Sequence, residues 1–276
     1  MSNTSVEAAI GGAVGGFVSV LTTNALTWVS HRLQLTQGKA EKNIRKFTKK
    51  LSYRLERLEY EMDELKKSVF QDALESPNTA FLFEKAIRES AATDCDERHT
   101  LLAELIAQRL SAGGEDMIAL AGNTACGLIN FLSVRQINLL ALLAVVYEVR
   151  PLQKQITPQD VDQASRLVLN WWEAQLSKIL QNFDIKAVSR LDIEHLASLG
   201  CLRISIGSKN FKSIISTNIL DKDIALSEDL LNSTSWYPSL KSQEDSLSHC
   251  SLTTTGILIG ILHLDSLNNT KTVINW

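Results

Sequence analysis

The chain has 276 residues, 45% hydrophobic and 21% charged, which suits one large domain or two small ones and excludes a collagen-like, fully disordered or many-span membrane protein. Its formal net charge of −3 gives no general attraction to nucleic acid, but the mean conceals a strong local asymmetry. Cys95, Cys126, Cys201 and Cys250 stand far apart with no CxxC pair, a pattern that points to free thiols in a reducing compartment.

No charged side chain occurs from Ala8 to Ser30, and about 20 residues suffice for a helix to cross the hydrocarbon core of a bilayer. A secretory signal would need a basic leader, whereas the only charged side chain ahead of the run is Glu7, so the segment is read as retained. Ser19, Thr22, Thr23, Asn24 and Thr27 keep it only modestly apolar, and insertion is therefore expected to be conditional. Gly11, Gly12, Gly15 and Gly16 form GGxxGG, two small-xxx-small pairs that let helices approach closely in lipid. In water each of these glycines costs a lone helix about 1 kcal/mol relative to alanine, so close packing has to offset them. Continuing the four-residue row gives Ser19, Thr23 and Thr27, while Phe17, Leu21 and Trp28 fall largely elsewhere. A ring of such helices would turn the hydroxyls toward a pore and the large apolar side chains toward lipid. The competing reading is a tightly packed core helix or helix hairpin. With no GK[ST] after the glycines and no strand before them, a nucleotide loop is a poor explanation.

A basic stretch follows: Arg32, Lys39, Lys42, Arg45, Lys46, Lys49, Lys50, Arg54 and Arg57 stand against Glu41 and Glu56. Anionic lipid attracts such a segment, and Lys42, Arg45, Lys46, Lys49 and Lys50 are the candidate headgroup contacts. The same charges predict that the C-terminal side stays cytoplasmic. Leu51, Leu55, Leu58, Met62 and Leu65 recur at helical spacing, which predicts a long helix or coiled-coil seam from Lys39 to Phe70, or an amphipathic helix packed on its own domain.

Ser76-Pro77-Asn78 marks a boundary. Helices are predicted over Thr79–Ala92, Asp94–Leu110, stopped by Gly113-Gly114, and Glu115–Asn130. Ser133-Val134-Arg135-Gln136 reads as a capping box opening an apolar helix through Leu139, Leu142, Val146 and Tyr147, closed by Pro151 and too short to span a membrane. Thr157-Pro158 opens another that passes Trp171-Trp172 and ends near Phe183. In the last third a short helix, Ser189–Leu199, ends at Gly200 and a strand follows over Cys201–Ile206. A polar stretch from Ser208 to Asp245 reads as a long hairpin-like loop, and Leu252–Leu264 is a second apolar segment containing Gly256 and Gly260. The expected fold is mainly α: an N-terminal membrane-active helix, a helical bundle and a small winged-helix-like α+β end. The expected domains are 1–38 (glycine-rich membrane-active segment), 39–75 (basic amphipathic helix), 76–186 (helical core) and 187–276 (winged-helix-like end). Between Ser189 and Asp265 acidic side chains outnumber basic ones, which argues against phosphate-backbone binding by that end.

Four segments carry a family likeness: SAATDCDERHTLLAELIAQRL (Ser90–Leu110), FLSVRQINLLALLAVV (Phe131–Val146), AVSRLDIEHLASLGCLRIS (Ala187–Ser205) and SLTTTGILIGILHL (Ser251–Leu264). In order and pattern they resemble the Abi-alpha-like bacterial proteins over residues 80–265. The resemblance implies a bacterial or prophage-borne abortive-infection protein and supplies no catalytic residues. It does not extend to the glycine tract.

Asp94, Cys95, Asp96, Glu97, Arg98 and His99 hold potential metal ligands, but acidic residues at a helix start are explained by the free amides and the helix dipole. His249, Cys250 and His263 lack zinc-ligand spacing, and no GxSxG, HExxH or Walker motif is present. No catalytic residue, metal or cofactor is expected, and the chain is not read as an enzyme. The expected function is an antiphage effector that oligomerises on an infection cue and permeabilises the inner membrane by pore formation. Its partners would be anionic lipid, further copies of itself and, as trigger, a phage protein; its location would be the bacterial cytoplasm, moving to or anchored in the inner membrane. The alternative is a soluble interaction or regulatory module that binds a protein or nucleic acid, with residues 8–30 buried in its core.

Overall fold

The computed structural model describes residues 37–61, 72–73, 76–112, 117–149, 161–205, 207, 210–217, 226–270 and 272. The uncharged run Ala8–Ser30 lies outside these residues, as do Met62–Phe70, Gly113-Gly114, Pro151 and Thr157-Pro158. Among the described residues no helix is long and apolar enough to cross a membrane. These residues are mainly helical, with one two-stranded antiparallel sheet, and the chain divides into two compact units at Phe131/Leu132.

In the first unit, Ala40, Ile44, Phe47, Leu51, Leu55 and Leu58 recur every three or four residues and are all buried. That spacing puts them on one stripe of helix α1 (Gln37–Glu61) and leaves the charged residues on the other side. The stripe packs on α2 (Pro77–Ala91) and α3 (Asp96–Ala112). Over its described length, therefore, the helix is partnered within its own unit. Pro77 occupies the first turn of α2, where its missing amide costs no helical hydrogen bond. Leu101, Leu102, Leu105, Ile106 and Leu110 bury much of the circumference of α3, which also packs against α4 (Met117–Leu128). A 3-10 turn, Ile129–Phe131, ends the unit.

The second unit is organised by α5 (Val134–Tyr147), in which every residue from Gln136 to Tyr147 is buried. Its start is the expected capping box: the Ser133 hydroxyl accepts from the Gln136 amide, and the Ser133 amide donates to Gln136 Oε1. A helix apolar on all sides needs cover from several elements. It packs on α6 (Val161–Gln181), and α7 (Arg190–Ser198) follows with a second capping box at Ser189 and Asp192. Gly200, at φ 71°, turns the chain out of α7 in the left-handed region that glycine adopts without steric cost. Strand β1 (Leu202–Ile204) comes next.

The hairpin-like loop expected for this end is corrected. Instead of forming a hairpin-like loop, the described part of Ser208–Asp245 contains short helices α8 (Phe211–Thr217), α9 (Glu228–Asn232) and α10 (Tyr237–Lys241), and α11 (Glu244–Leu247) begins at its end. Phe211, Leu231, Trp236, Tyr237, Leu240 and Leu247 anchor them, buried apolar residues too thinly spread among serines to register as a periodic pattern. The second apolar segment, to which the sequence pattern assigned no element, is mostly helical. Only Cys250–Leu252 forms a strand, β2, pairing antiparallel with β1 in the register Leu202↔Leu252. The Thr253 hydroxyl then accepts from the Gly256 amide and starts α12 (Thr254–Asn268), which lies along α5. The described part of the connection between the strands thus contains short helices, unlike the hairpin wing expected. The division at Phe131/Leu132 also falls inside the span 76–186 expected as one core, because α5 packs on α12 from the far end of the sequence.

The contact between α12 and α5 depends on Gly260. A Cβ there would overlap the Leu140 carbonyl, a backbone atom that cannot swing aside, and a Cβ at Gly256 would meet the Cys201 carbonyl. Gly260→Ala is expected to destabilise the second unit by about 1–3 kcal/mol, read as a lower urea midpoint at unchanged m-value. A midpoint equal to that of the parent chain would show that the helices are not so tightly apposed.

Candidate functional site

Burial of one stripe of α1 decides what the opposite stripe presents. At about 100° per residue, Lys42, Lys46, Lys49 and Tyr53 fall within a sector of about 60°, facing away from Phe47 and Leu51. Lys42, Arg45, Lys46 and Lys49 are exposed, and the Tyr53 side chain is 70% exposed. Lys50, at the edge of the stripe, is half-buried: its ammonium donates to Asp96 Oδ2 at 2.7 Å and Thr100 Oγ1 at 3.0 Å. Arg45 pairs with Glu41 one turn earlier at 2.7 Å. Farther round, the Arg54 guanidinium donates to Glu104 Oε2 at 2.7 Å with both side chains largely buried, which fastens α1 to α3. Among the described residues Lys42, Lys46 and Lys49 form no ion pair, so their charges face solvent uncompensated.

The structure thus brings the five expected headgroup residues onto one helix but divides them in role. Lys42, Lys46 and Lys49 are available, whereas Arg45 and Lys50 are already paired. Sequence reasoning passed over two members of this surface. Tyr53 follows Lys49 by four residues and Lys46 by seven, a helical spacing that marks it as a neighbour. Asp96 comes from α3, and no sequence pattern brings it beside Lys50. Lys46, Lys49, Lys50, Tyr53 and Asp96 line a surface cavity of about 400 Å³ that is broadly open to solvent.

The expected packing, pore and lipid residues, Gly11, Gly12, Gly15, Gly16, Phe17, Ser19, Leu21, Thr23, Thr27 and Trp28, lie outside the described residues. The acidic group before α3 acts locally as a helix start, with Asp96 and Glu97 in the first turn. His99 turns inward, and its Nε2–H is shared between the carbonyls of Ser90 (3.2 Å) and Thr93 (3.0 Å). The other ring nitrogen, Nδ1, is buried and unpartnered, so desolvation opposes a charged ring and lowers its pKa despite those two bonds. His263 Nε2 meets Asn138 Oδ1 at 3.1 Å in the contact between α12 and α5, while His249 is only half-buried. Among the described residues no group of three or more His, Cys, Asp or Glu is gathered for a metal ion. Burial pushes the Cys126 thiol up to about 12 and Cys201 to about 11, which keeps both in the protonated, poorly nucleophilic form. Trp172 is buried beside half-exposed Trp171, and it continues through Trp236 (6.0 Å between centroids) to Tyr237, an aromatic row inside the second unit.

A family model whose description reads only ":-like" matches residues 33–225, and the chain belongs to that family, one of uncharacterised type. The matched span includes the lysine surface of α1; the glycine tract precedes it and α12 follows it. No curated protein and no solved structure matches the chain.

His99 gives the first unit a pH dependence. The unfolded chain takes up the proton near the ordinary value of 6.5, the folded chain only at lower pH, so stability is full above that value and falls as the solution is acidified. Thermal unfolding of the parent chain is expected to shift downward between about pH 7.5 and pH 5 more than that of His99→Gln. Equal shifts in the two proteins would remove His99 from the account.

Proposed function

We propose that this protein is a bacterial or prophage-encoded antiphage effector that acts on the inner membrane. The observation that supports the reading is the unpaired lysine surface of α1, with Tyr53 beside it, shortly after the uncharged run Ala8–Ser30 in the sequence. Three lysines near an anionic surface contribute about 3 kcal/mol, too little for stable binding alone. A second attachment is needed, and the uncharged run supplies it. Tyrosine suits such a surface, since its ring sits among acyl chains and its hydroxyl among headgroups. In this scheme the chain waits in the cytoplasm, an infection cue such as a phage protein drives oligomerisation, and Gly11, Gly12, Gly15 and Gly16 pack the inserted helices. Ser19, Thr23 and Thr27 then line a pore, with Phe17, Leu21 and Trp28 against lipid. The likeness of the body to the Abi-alpha-like proteins agrees with a role in abortive infection.

The test is entry of an impermeant dye into bacteria expressing the full chain, a version lacking residues 2–30, or Gly12→Leu/Gly16→Leu, with and without phage. Dye is expected to enter only with the intact segment, and the double substitution is expected to abolish entry while leaving the fold unchanged. Absence of entry in every case, with all proteins folded and expressed, would favour the soluble interaction module instead.

A further inference from the structure

The cavity beside the lysine stripe has the charge of a specific site. Its lining carries three ammonium groups, Lys46, Lys49 and Lys50, and one carboxylate, Asp96. At spacings i, i+3 and i+4 the three cations crowd a single turn of α1, where they repel one another. Asp96 bonds Lys50 at 2.7 Å, which leaves Lys46 and Lys49 without an ion pair among the described residues and the lining two positive charges in excess. A monoanion would balance half of that excess. A phosphomonoester, with a charge near −2 at neutral pH and three terminal oxygens to accept from ammonium donors, would balance all of it. Asp96 opens the 17-residue helix α3, so the positive end of that helix lies at the rim of the cavity. Tyr53 supplies a ring wall and a hydroxyl that has no hydrogen-bond partner among the described residues. At about 400 Å³ the cavity has room for a phosphate and the group esterified to it.

We infer that this cavity is a discrete site for one phosphomonoester group, held by Lys46 and Lys49, with Lys50 released from Asp96 to complete the grip. The inference rests on the membrane reading only for the source of the phosphate, a lipid headgroup or a soluble phosphomonoester. Diffuse attraction to a charged surface would follow total charge; a site of this kind follows the type of phosphate and the identity of Asp96.

The full chain would be titrated with vesicles of phosphatidylcholine containing either phosphatidic acid, a phosphomonoester, or phosphatidylglycerol, a diester, adjusted to equal surface charge. Binding to phosphatidic acid is expected to be about fivefold tighter, the value of one further unit charge at close range. Lys46→Ala/Lys49→Ala should lose that preference and keep the parent's thermal midpoint, since both side chains lie opposite the buried stripe. Asp96→Asn should strengthen phosphatidic acid binding, whereas Asp94→Asn, the same charge change outside the cavity, should not. Saturable binding of glycerol 3-phosphate, lost in the double variant, would support the site with a soluble source. Equal binding to both vesicle types, together with no saturable glycerol 3-phosphate binding, would overturn it. Dye leakage from the same vesicles separates this result from the pore: preference without leakage removes the pore and keeps the site, and leakage without preference does the reverse.

Discussion

The orientation of α1 governs the surface that this protein offers to its surroundings. Ile44, Phe47, Leu51 and Leu55 leave water together by packing on α2 and α3, and each large apolar side chain so buried contributes about 1.5–3 kcal/mol. Rolling the helix by a single residue, about 100°, would expose part of that stripe and force cations into the core at several kcal/mol apiece. The hydrophobic contact therefore aims Lys42, Lys46, Lys49 and Tyr53 at solvent as strictly as any direct bond would. The ion pair of Arg54 with Glu104, mostly out of water, and that of Lys50 with Asp96 set the position of α1 along α3. Such a basic surface costs little to maintain while its lysines are hydrated, which leaves their charge available for an anionic partner.

The second unit follows a different principle. Helix α5 is buried from Gln136 to Tyr147, so its few polar groups must be matched individually. Asn138 donates to the Val134 carbonyl and meets His263 through its oxygen. The Tyr147 hydroxyl donates to the Leu247 carbonyl, and burial drives its pKa well above the ordinary phenol range. Arg135 bonds Asp192, the residue that caps α7, and Gln136 meets His195, so the two capping boxes are cross-linked. Asp192 titrates below the usual carboxylate range: its burial works against this, and the bonds from Ser189 and Arg135 outweigh it. Apart from the local bond of Asn138 to Val134, these contacts join segments more than fifty residues apart and give the unit one arrangement, with polar pairing acting where apolar packing alone is indifferent to register.

The two halves bear differently on function. In the second unit several charged groups are spent on one another, as in Arg135 with Asp192 and Lys212 and Lys241 with Glu228. In the first, unpaired lysines are concentrated on one helix face and around one pocket. A charge of that size attracts an anionic surface without holding it, in keeping with the proposed attachment that waits for a second event. It also places any selectivity for the anion in the geometry of the cavity rather than in the total charge.

The amino-acid sequence by itself determined the helical character of the body, the capping box at Ser133, the helix start at Ser189, the turn at Gly200 and the amphipathic division of α1, since each depends on neighbours within a few residues. It also located the basic stretch, because a charge cluster needs no fold to be recognised. Tertiary structure alone decided the rest. Thr254–Leu264 became part of a helix rather than a strand because a short apolar run satisfies either period, and docking on α5 selects the one that lets Gly260 meet the Leu140 carbonyl. The single anchors Phe211, Trp236 and Tyr237 turned an apparent loop into short helices, because their stabilisation comes from distant core residues and not from local pattern. Asp96 reached Lys50 across forty-six positions only because α1 packs on α3. Local chemistry therefore specifies elements and their faces; which residues then share a cavity is set by long-range burial, which leaves no local mark on the sequence.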